Sequence, residues 1–145
     1  MNLIITVGLP GSGKSTHLAT LGVNAISSDE IRRLLTDDPA DQSNHARVFS
    51  TIRFLIRQRI AVGRSDTYVD ATHLTRWERV PYVQLARRYD CTLEALYFDV
   101  PLEICLRRNR ERPRIVPDDS IREMAKLLEP PAIEEGFTRI IRIST

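Results

Sequence analysis

The octapeptide Gly8-Leu-Pro-Gly-Ser-Gly13-Lys14-Ser15 constrains this chain more than any other feature. It fits the pattern G-x-x-x-x-G-K-[ST] without a mismatch. The apolar, β-branched run Asn2–Val7 precedes it and reads as a buried strand; Lys14–Leu21 follows and reads as a short helix. A strand, a glycine-rich turn and a helix in that order make a cradle for phosphate. The glycines let successive N–H groups curl inward, and the helix adds the positive end of its dipole.

Within this loop each residue type has a chemical reason. The backbone of Gly11, Ser12 and Gly13 wraps phosphate oxygens, and Lys14 reaches the β- and γ-phosphates as a point charge. Ser15 is placed as a ligand of Mg²⁺ and Thr16 as a contact of the α-phosphate. ATP with Mg²⁺ is therefore the expected ligand. A guanine-reading Asn-Lys-x-Asp segment is missing from the sequence, which argues against a GTPase. The loop by itself does not choose between hydrolysis and transfer.

The rest of the chain alternates strands and helices. Further strands are expected at Asn24–Ser28, Thr67–Val69, Thr92–Phe98 and Thr138–Ile143. Helices are expected over Glu30–Leu35, from Ser43 or Asn44 to about Val62, over Arg76–Tyr89, from Pro101, and over Asp118–Leu128. Ser28 or Asp29 is suited to cap the second helix. The third carries a clean apolar stripe, Val48, Phe49, Ile52, Leu55, Ile56 and Ile60, with Arg53, Arg57 and Arg64 as its solvated face. Alternation of this kind implies right-handed crossovers and a parallel sheet. The expected architecture is an α/β single domain over residues 1–145, a five-stranded parallel sheet flanked by helices. An Arg-rich lid is expected at about residues 107–117.

In such sheets ligands sit beyond the carboxyl ends of the strands. Asp29, Asp70 and Asp99 each fall at or just after a strand end. Asp29 reads either as a helix cap or as a base facing the transferred phosphate. Arg32, one helical turn on, shares its face and could hold an acceptor that carries its own phosphate. Asp70 reads as a carboxylate behind the Mg²⁺ site, and Asp99 as a cap of the next helix. Arg107, Arg108, Arg110, Arg112 and Arg114 lie within eight residues and suit a mobile lid over the phosphates. His17, His45 and His73 have no metal spacing and are taken as incidental. Trp77 reads as packing, as do Val80, Val83, Leu85 and Ala86. Cys91 and Cys105 read as two buried thiols.

The net charge of +2 does not announce a nucleic-acid binder. Of the basic residues 19 are Arg, and only Lys14 and Lys126 are Lys, so a lysine at position 14 stands out. No run is long enough to span a membrane, and the expected location is the cytoplasm. No obligate protein partner is evident.

The ordered set Ile4–Thr16, Ser28–Arg32, Asp70–Leu74, Tyr97–Pro101 and Arg107–Pro117 resembles the 5′-kinase domain of phage and bacterial polynucleotide kinases. That resemblance covers about Met1–Leu128. It implies Asp29 as general base and Arg32 as the arginine that grips a 3′ phosphate of the acceptor. It also implies Arg108 and Arg112 as lid arginines, Arg112 on the donor phosphates, and Val116 as a contact of the acceptor base. His73 stands where that family commonly has Asn, and the expectation is a kinase segment without a 3′-phosphatase or ligase module. The expected reaction is transfer of the γ-phosphate of ATP to the 5′-OH end of DNA or RNA. Two alternatives stay open: a kinase of a small-molecule hydroxyl, such as a sugar, nucleoside or antibiotic, and a non-catalytic ATP-binding module.

Overall fold

The computed structural model describes residues 1–144; Thr145, the last residue of the expected domain, lies outside the described residues. Five strands form one parallel sheet in the order β2-β3-β1-β4-β5. They are β1 (Asn2–Val7), β2 (Ile26–Ser27), β3 (Asp66–Asp70), β4 (Thr92–Phe98) and β5 (Arg139–Ile143). The helices are α1 (Lys14–Thr20), α2 (Ser28–Thr36), α3 (His45–Ala61), α4 (Arg76–Arg88), α5 (Leu102–Asn109) and α6 (Asp118–Leu127). The sheet and its flanking helices match the expected α/β architecture, although β2 shrinks to two residues.

Alternation along β1 divides the core. Leu3, Ile5 and Val7 face α3 and α4, where they meet Ile52, Ile56, Tyr82 and Val83. Ile4 faces the other way, onto Leu18 of α1 and Leu96 and Phe98 of β4. A third cluster sits at the carboxyl end of the sheet. There Leu9 and Leu74 pack with Cys105, Leu106, Val116 and Ile121 of the α5–α6 region. This cluster anchors the arginine-rich segment directly above the glycine loop. Among the described residues no helix is long and apolar enough to cross a membrane.

Several local expectations change. Ser27, not Ser28 or Asp29, caps α2: its Oγ accepts from the Glu30 N–H at 3.3 Å. Asp29 lies inside the first turn, so its carboxylate is not spent on the cap. Asn44 does stand at the N-cap of α3 but makes no side-chain cap bond, and the Ser43 hydroxyl donates to Asp41 instead. Asp99 does not cap α5; Pro101 holds that position, and Asp99 pairs with Arg142 of β5. Trp77 is 83% exposed rather than packed, because it falls on the outer side of the first turn of α4. Val80 is half-exposed for the same reason, whereas Val83, Leu85 and Ala86 are buried. Of the two thiols only Cys105 is fully buried.

His73 is not incidental. It is buried, adopts φ 43°, and bridges two elements. Its Nδ1 lies 2.6 Å from the Thr6 carbonyl and its Nε2 lies 2.8 Å from the Tyr82 hydroxyl. A carbonyl can only accept, so the proton sits on Nδ1 and Nε2 accepts from Tyr82. Next to it the fully buried Arg79 donates to the carbonyls of His73 and Leu74 and pairs with Glu135 through Nε and Nη2.

Candidate functional site

The glycine loop closes on itself. Gly8 N–H donates to the Thr72 carbonyl at 3.0 Å, which ties the loop to the end of β3. A Cβ at Gly8 would lie 2.8 Å from Ser12 Oγ and 2.9 Å from Phe98 Cβ, so only glycine fits beneath the turn. Gly11 (φ 81°) is pressed against the Cys105 carbonyl of α5. Gly13 (φ 96°) provides the left-handed entry to α1. A loop of this shape leads into the start of a helix, where free N–H groups favour an anion.

Lys14 is buried, and its Nζ donates to the Leu9 carbonyl at 2.8 Å, folding the side chain back over the loop. Burial pushes its ammonium down to about 8; Asp70 pulls the other way and Arg112 adds to the depression. Ser15 Oγ donates to Asp70 Oδ2 at 2.6 Å, joining α1 to the end of β3. A hydroxyl and a carboxylate are hard oxygen donors of the kind a small divalent cation prefers. Ser12 Oγ is buried and has no hydrogen-bond partner among the described residues, so the loop holds a polar atom that a phosphate oxygen would satisfy. Thr16 is exposed on the first turn of α1.

A second group of charges faces this loop. Asp29 Oδ1 accepts from Arg32 Nη1 at 3.1 Å, and Asp29 Oδ2 accepts from Arg114 Nη1, also at 3.1 Å. Arg32 is nearly fully buried, and among the described residues its Nε has no partner. Arg108 Nη1 lies 3.6 Å from the position a Gly13 Cβ would take, so it overhangs the phosphate loop. Arg112 lies close enough to Lys14 to depress its amine. Arg110 turns away to Asp118 at 2.8 Å. Val116 is buried in the apolar base of the lid, among Leu9, Leu74 and Ile121.

The structure therefore gathers Gly11, Ser12, Gly13, Lys14, Ser15, Asp70, Arg108 and Arg112 around one cradle, with Asp29, Arg32 and Arg114 alongside. Two residues of the site escaped sequence reasoning. Arg114 was visible only as one of five arginines, with nothing to single it out as the one on Asp29. Asn109 is fully buried and clamps the lid: Nδ2 donates to the Val116 carbonyl at 2.6 Å and Oδ1 accepts from Val116 N–H at 3.1 Å. The one uncharged polar side chain in the run 107–114 was the available signal.

The chain is similar to curated and solved proteins. It is 42% identical over 58 residues, 40% of the chain, to human L-seryl-tRNA(Sec) kinase. It is 24% identical over 142 residues to the protein of that name from Methanococcus maripaludis. It spans 17% of the human protein's length and 55% of the archaeal one's. Its fold superposes on a chain of the Pnkp1/Rnl/Hen1 RNA repair complex with a TM-score of 0.74 at 22% identity, covering 88% of this chain and 43% of that one. An unliganded sugar kinase from Janibacter gives 0.70 at 18% identity, covering 99% and 85%. The family model described as an AAA domain, AAA_33, matches residues 3–131, and with that match over most of its length the chain belongs to this family of P-loop kinase domains.

Proposed function

We propose that this chain transfers the γ-phosphoryl group of ATP to a hydroxyl carried on a nucleic acid, in the first instance the 5′-OH end of DNA or RNA. The observation that carries the reading is the Asp29–Arg32 pair: a carboxylate beside a buried guanidinium whose Nε lacks a partner among the described residues. A buried, unsatisfied guanidinium nitrogen is costly and calls for an anion. An acceptor that presents a hydroxyl to Asp29 and its own phosphate to Arg32 satisfies both groups.

The residues then divide the work. Gly11, Ser12, Gly13, Lys14 and Thr16 bind and orient the donor phosphates. Asp29 accepts the proton of the attacking hydroxyl as the new O–P bond forms and the bond to the departing ADP oxygen breaks. Lys14, Arg108 and Arg112 take up the charge that spreads over the transferring group. Ser15 and Asp70 would hold Mg²⁺, which when bound neutralises donor phosphate charge. Val116 would shape the wall against which the acceptor base rests.

The test is incubation with γ-labelled ATP, Mg²⁺ and a 5′-OH oligonucleotide, with Asp29→Ala and Asp29→Asn alongside. Label on the 5′ end that disappears in both variants, with ATP binding retained, is the expected result. Wild-type turnover in Asp29→Asn would remove the base.

A second reading has its own observation, the 42% identity over 58 residues to human L-seryl-tRNA(Sec) kinase. In that reading the acceptor hydroxyl would belong to a seryl group esterified to tRNA. Mild alkali separates the two: label on a seryl ester leaves the RNA, whereas label on a 5′ end stays. Label on neither polymer, with ATP still bound, would direct the search to small-molecule hydroxyls or to a binding module without transfer.

A further inference from the structure

From Gln42 to Ser65 the chain contains five arginines, Arg47, Arg53, Arg57, Arg59 and Arg64, and no aspartate or glutamate. The whole chain is only +2, so the remainder is net acidic, and α3 with its exit is, beside the arginine-rich segment 107–114, a concentration of positive charge. Among the described residues, none of Arg47, Arg53, Arg57 and Arg64 forms a salt bridge. Arg59 spends its guanidinium on neutral partners, the Thr67 hydroxyl and the Asp66 carbonyl. A helix surface with this much unneutralised charge repels itself unless a polyanion lies on it.

The charge is also arranged. With about 100° per residue, Arg47, Phe54 and Arg57 fall within about 80° of arc on the face opposite Val48, Ile52 and Ile56. Phe54 is 52% exposed between these arginines, an aromatic ring with no core to enter. Arg47 and Arg57 are ten residues apart, about 15 Å along the helix. Near the amino end of this face a cavity of about 250 Å³ is lined by Leu35 and Thr36 of α2 and by Asn44, Arg47, Ser50 and Thr51. Thr36 Oγ1 donates to the Arg32 carbonyl at 2.8 Å, so the cavity begins one turn beyond the proposed acceptor arginine.

We infer that the outer face of α3, with Arg47, Phe54 and Arg57 at its centre, is a docking surface for the single strand that leads away from the reacting end of the acceptor. The inference rests on the reading above that the acceptor is a nucleic acid. Guanidinium groups meet successive phosphates, and Phe54 offers a platform on which a base stacks whatever its sequence. A duplex would bring phosphates but no free base face for Phe54, so the surface favours an unpaired strand. Leu35 and Thr36 join it to the Asp29–Arg32 pair.

Binding is measured without nucleotide, by fluorescence anisotropy of a 3′-labelled 5′-OH oligonucleotide over a series of salt concentrations. The proteins are the wild type, Arg47→Ala/Arg57→Ala, Arg47→Lys/Arg57→Lys and Phe54→Ala, with thermal unfolding to confirm that each folds. Loss of two phosphate contacts lowers the slope of log K against log salt by about 1.4, at about 0.7 per contact on single strands. The double alanine variant is expected to show that drop with at least tenfold weaker binding, and the double lysine variant to restore most of the slope. Phe54→Ala is expected to weaken binding about tenfold with the slope unchanged. Unaltered affinity and slope in the alanine variant, or no oligonucleotide binding by the wild type, would overturn the surface. Because no phosphoryl transfer is read, an enzyme that binds through α3 yet labels no polymer would sink the proposed reaction and leave the surface standing. Normal 5′ labelling with unchanged slopes would do the reverse.

Discussion

The carboxylate of Asp29 is shared by two arginines that arrive from different parts of the chain: Arg32, three residues along α2, and Arg114, 85 residues away in the lid. Both contacts are 3.1 Å, but the two arginines differ in kind. Arg32 is buried, with side-chain exposure of 5%, and belongs to the wall of the site; Arg114 is 30% exposed and belongs to the arginine-rich segment proposed as a lid. Arg114 thus latches the lid onto the residue proposed as base.

A half-exposed ion pair of this sort adds little stability, about 0–1 kcal/mol. Arg114→Ala is therefore expected to leave Tm within about 3 °C of wild type. Its effect belongs to the reaction. Without the latch the acceptor is less well held against Asp29, and kcat/KM for the acceptor is expected to fall at least tenfold, with KM for ATP little changed. Steady-state kinetics varying each substrate in turn checks this. An unchanged acceptor kcat/KM would reduce Arg114 to a surface contact.

Lys14 supplies a prediction about pH. Its ammonium is pushed from its ordinary 10.5 to about 8, chiefly by burial, so the folded chain without ligand gives up its proton before the unfolded chain does. Between about pH 8 and 10.5 the unfolded state binds the extra proton, and stability attributable to this group rises with pH across that window. Lys14→Met has no such group. It is expected to be more stable than the wild type at pH 7, by up to about 3 kcal/mol, although it leaves the Leu9 carbonyl without its donor. That advantage should shrink as pH rises through 8 toward 10.5. Urea unfolding of both proteins at pH 7, 8.5 and 10 measures the gap, and a gap independent of pH would show that Lys14 is not strained by burial. The same variant should lose ATP binding.

How far the site could be read in advance depended on whether its parts are local in sequence. The glycine loop is a contiguous motif whose spacing dictates its own geometry, so Gly8 through Ser15 needed no tertiary information. The strands were legible because β1 is an apolar, β-branched run and β4 is apolar apart from Thr92 and Glu94, and the parallel order followed from their alternation with helices. The failures are tertiary. Nothing in the sequence near Asp29 says that Arg114 will reach it, and nothing near His73 says that Thr6 and Tyr82 will bracket its ring. The capping error at α2 came from its start: the helix was expected from Glu30, with Ser28 or Asp29 as cap, but begins at Ser28, which leaves Ser27 as the cap. The Trp77 error came from assigning burial by residue type when position on the helix decides it.

His73 titrates in the opposite quarter of the pH scale. Its ring is pushed down from 6.5 to about 4, mainly by burial, with the nearby Arg79 and Lys14 charges adding to the shift. The unfolded chain binds a proton near 6.5 that the folded chain refuses until about 4, so stability is lost as pH falls through that interval. His73→Asn tolerates the left-handed backbone and can still donate to the Thr6 carbonyl, but it abandons the Tyr82 hydroxyl. The variant is expected to be about 1–3 kcal/mol less stable at pH 7 and to show a flatter decline between pH 6.5 and 4. Thermal unfolding across that range distinguishes this from a wild-type-like slope, which would place the acid sensitivity elsewhere.

The last prediction concerns the segment beyond the family match. Arg79 and Glu135 form a bidentate pair with side-chain exposures of 0% and 5%, and Glu135 lies outside residues 3–131. Through Nη1 the same guanidinium holds the carbonyls of His73 and Leu74, in the loop that leaves Asp70 and supplies the Thr72 carbonyl to Gly8. The pair therefore joins the tail of the chain to the floor of the phosphate loop. Breaking one side of a buried pair strands a charge and costs about 3–5 kcal/mol, whereas replacing both by apolar residues of similar size can be near neutral. Glu135→Ala is expected to show the full loss in urea unfolding, and Arg79→Met/Glu135→Leu to recover much of it. The double variant still lacks the donor to the His73 and Leu74 carbonyls, so its ATP affinity should stay below wild type after stability returns. Recovery of both together would mean that the pair supports the fold alone and leaves the position of the phosphate loop to its own backbone.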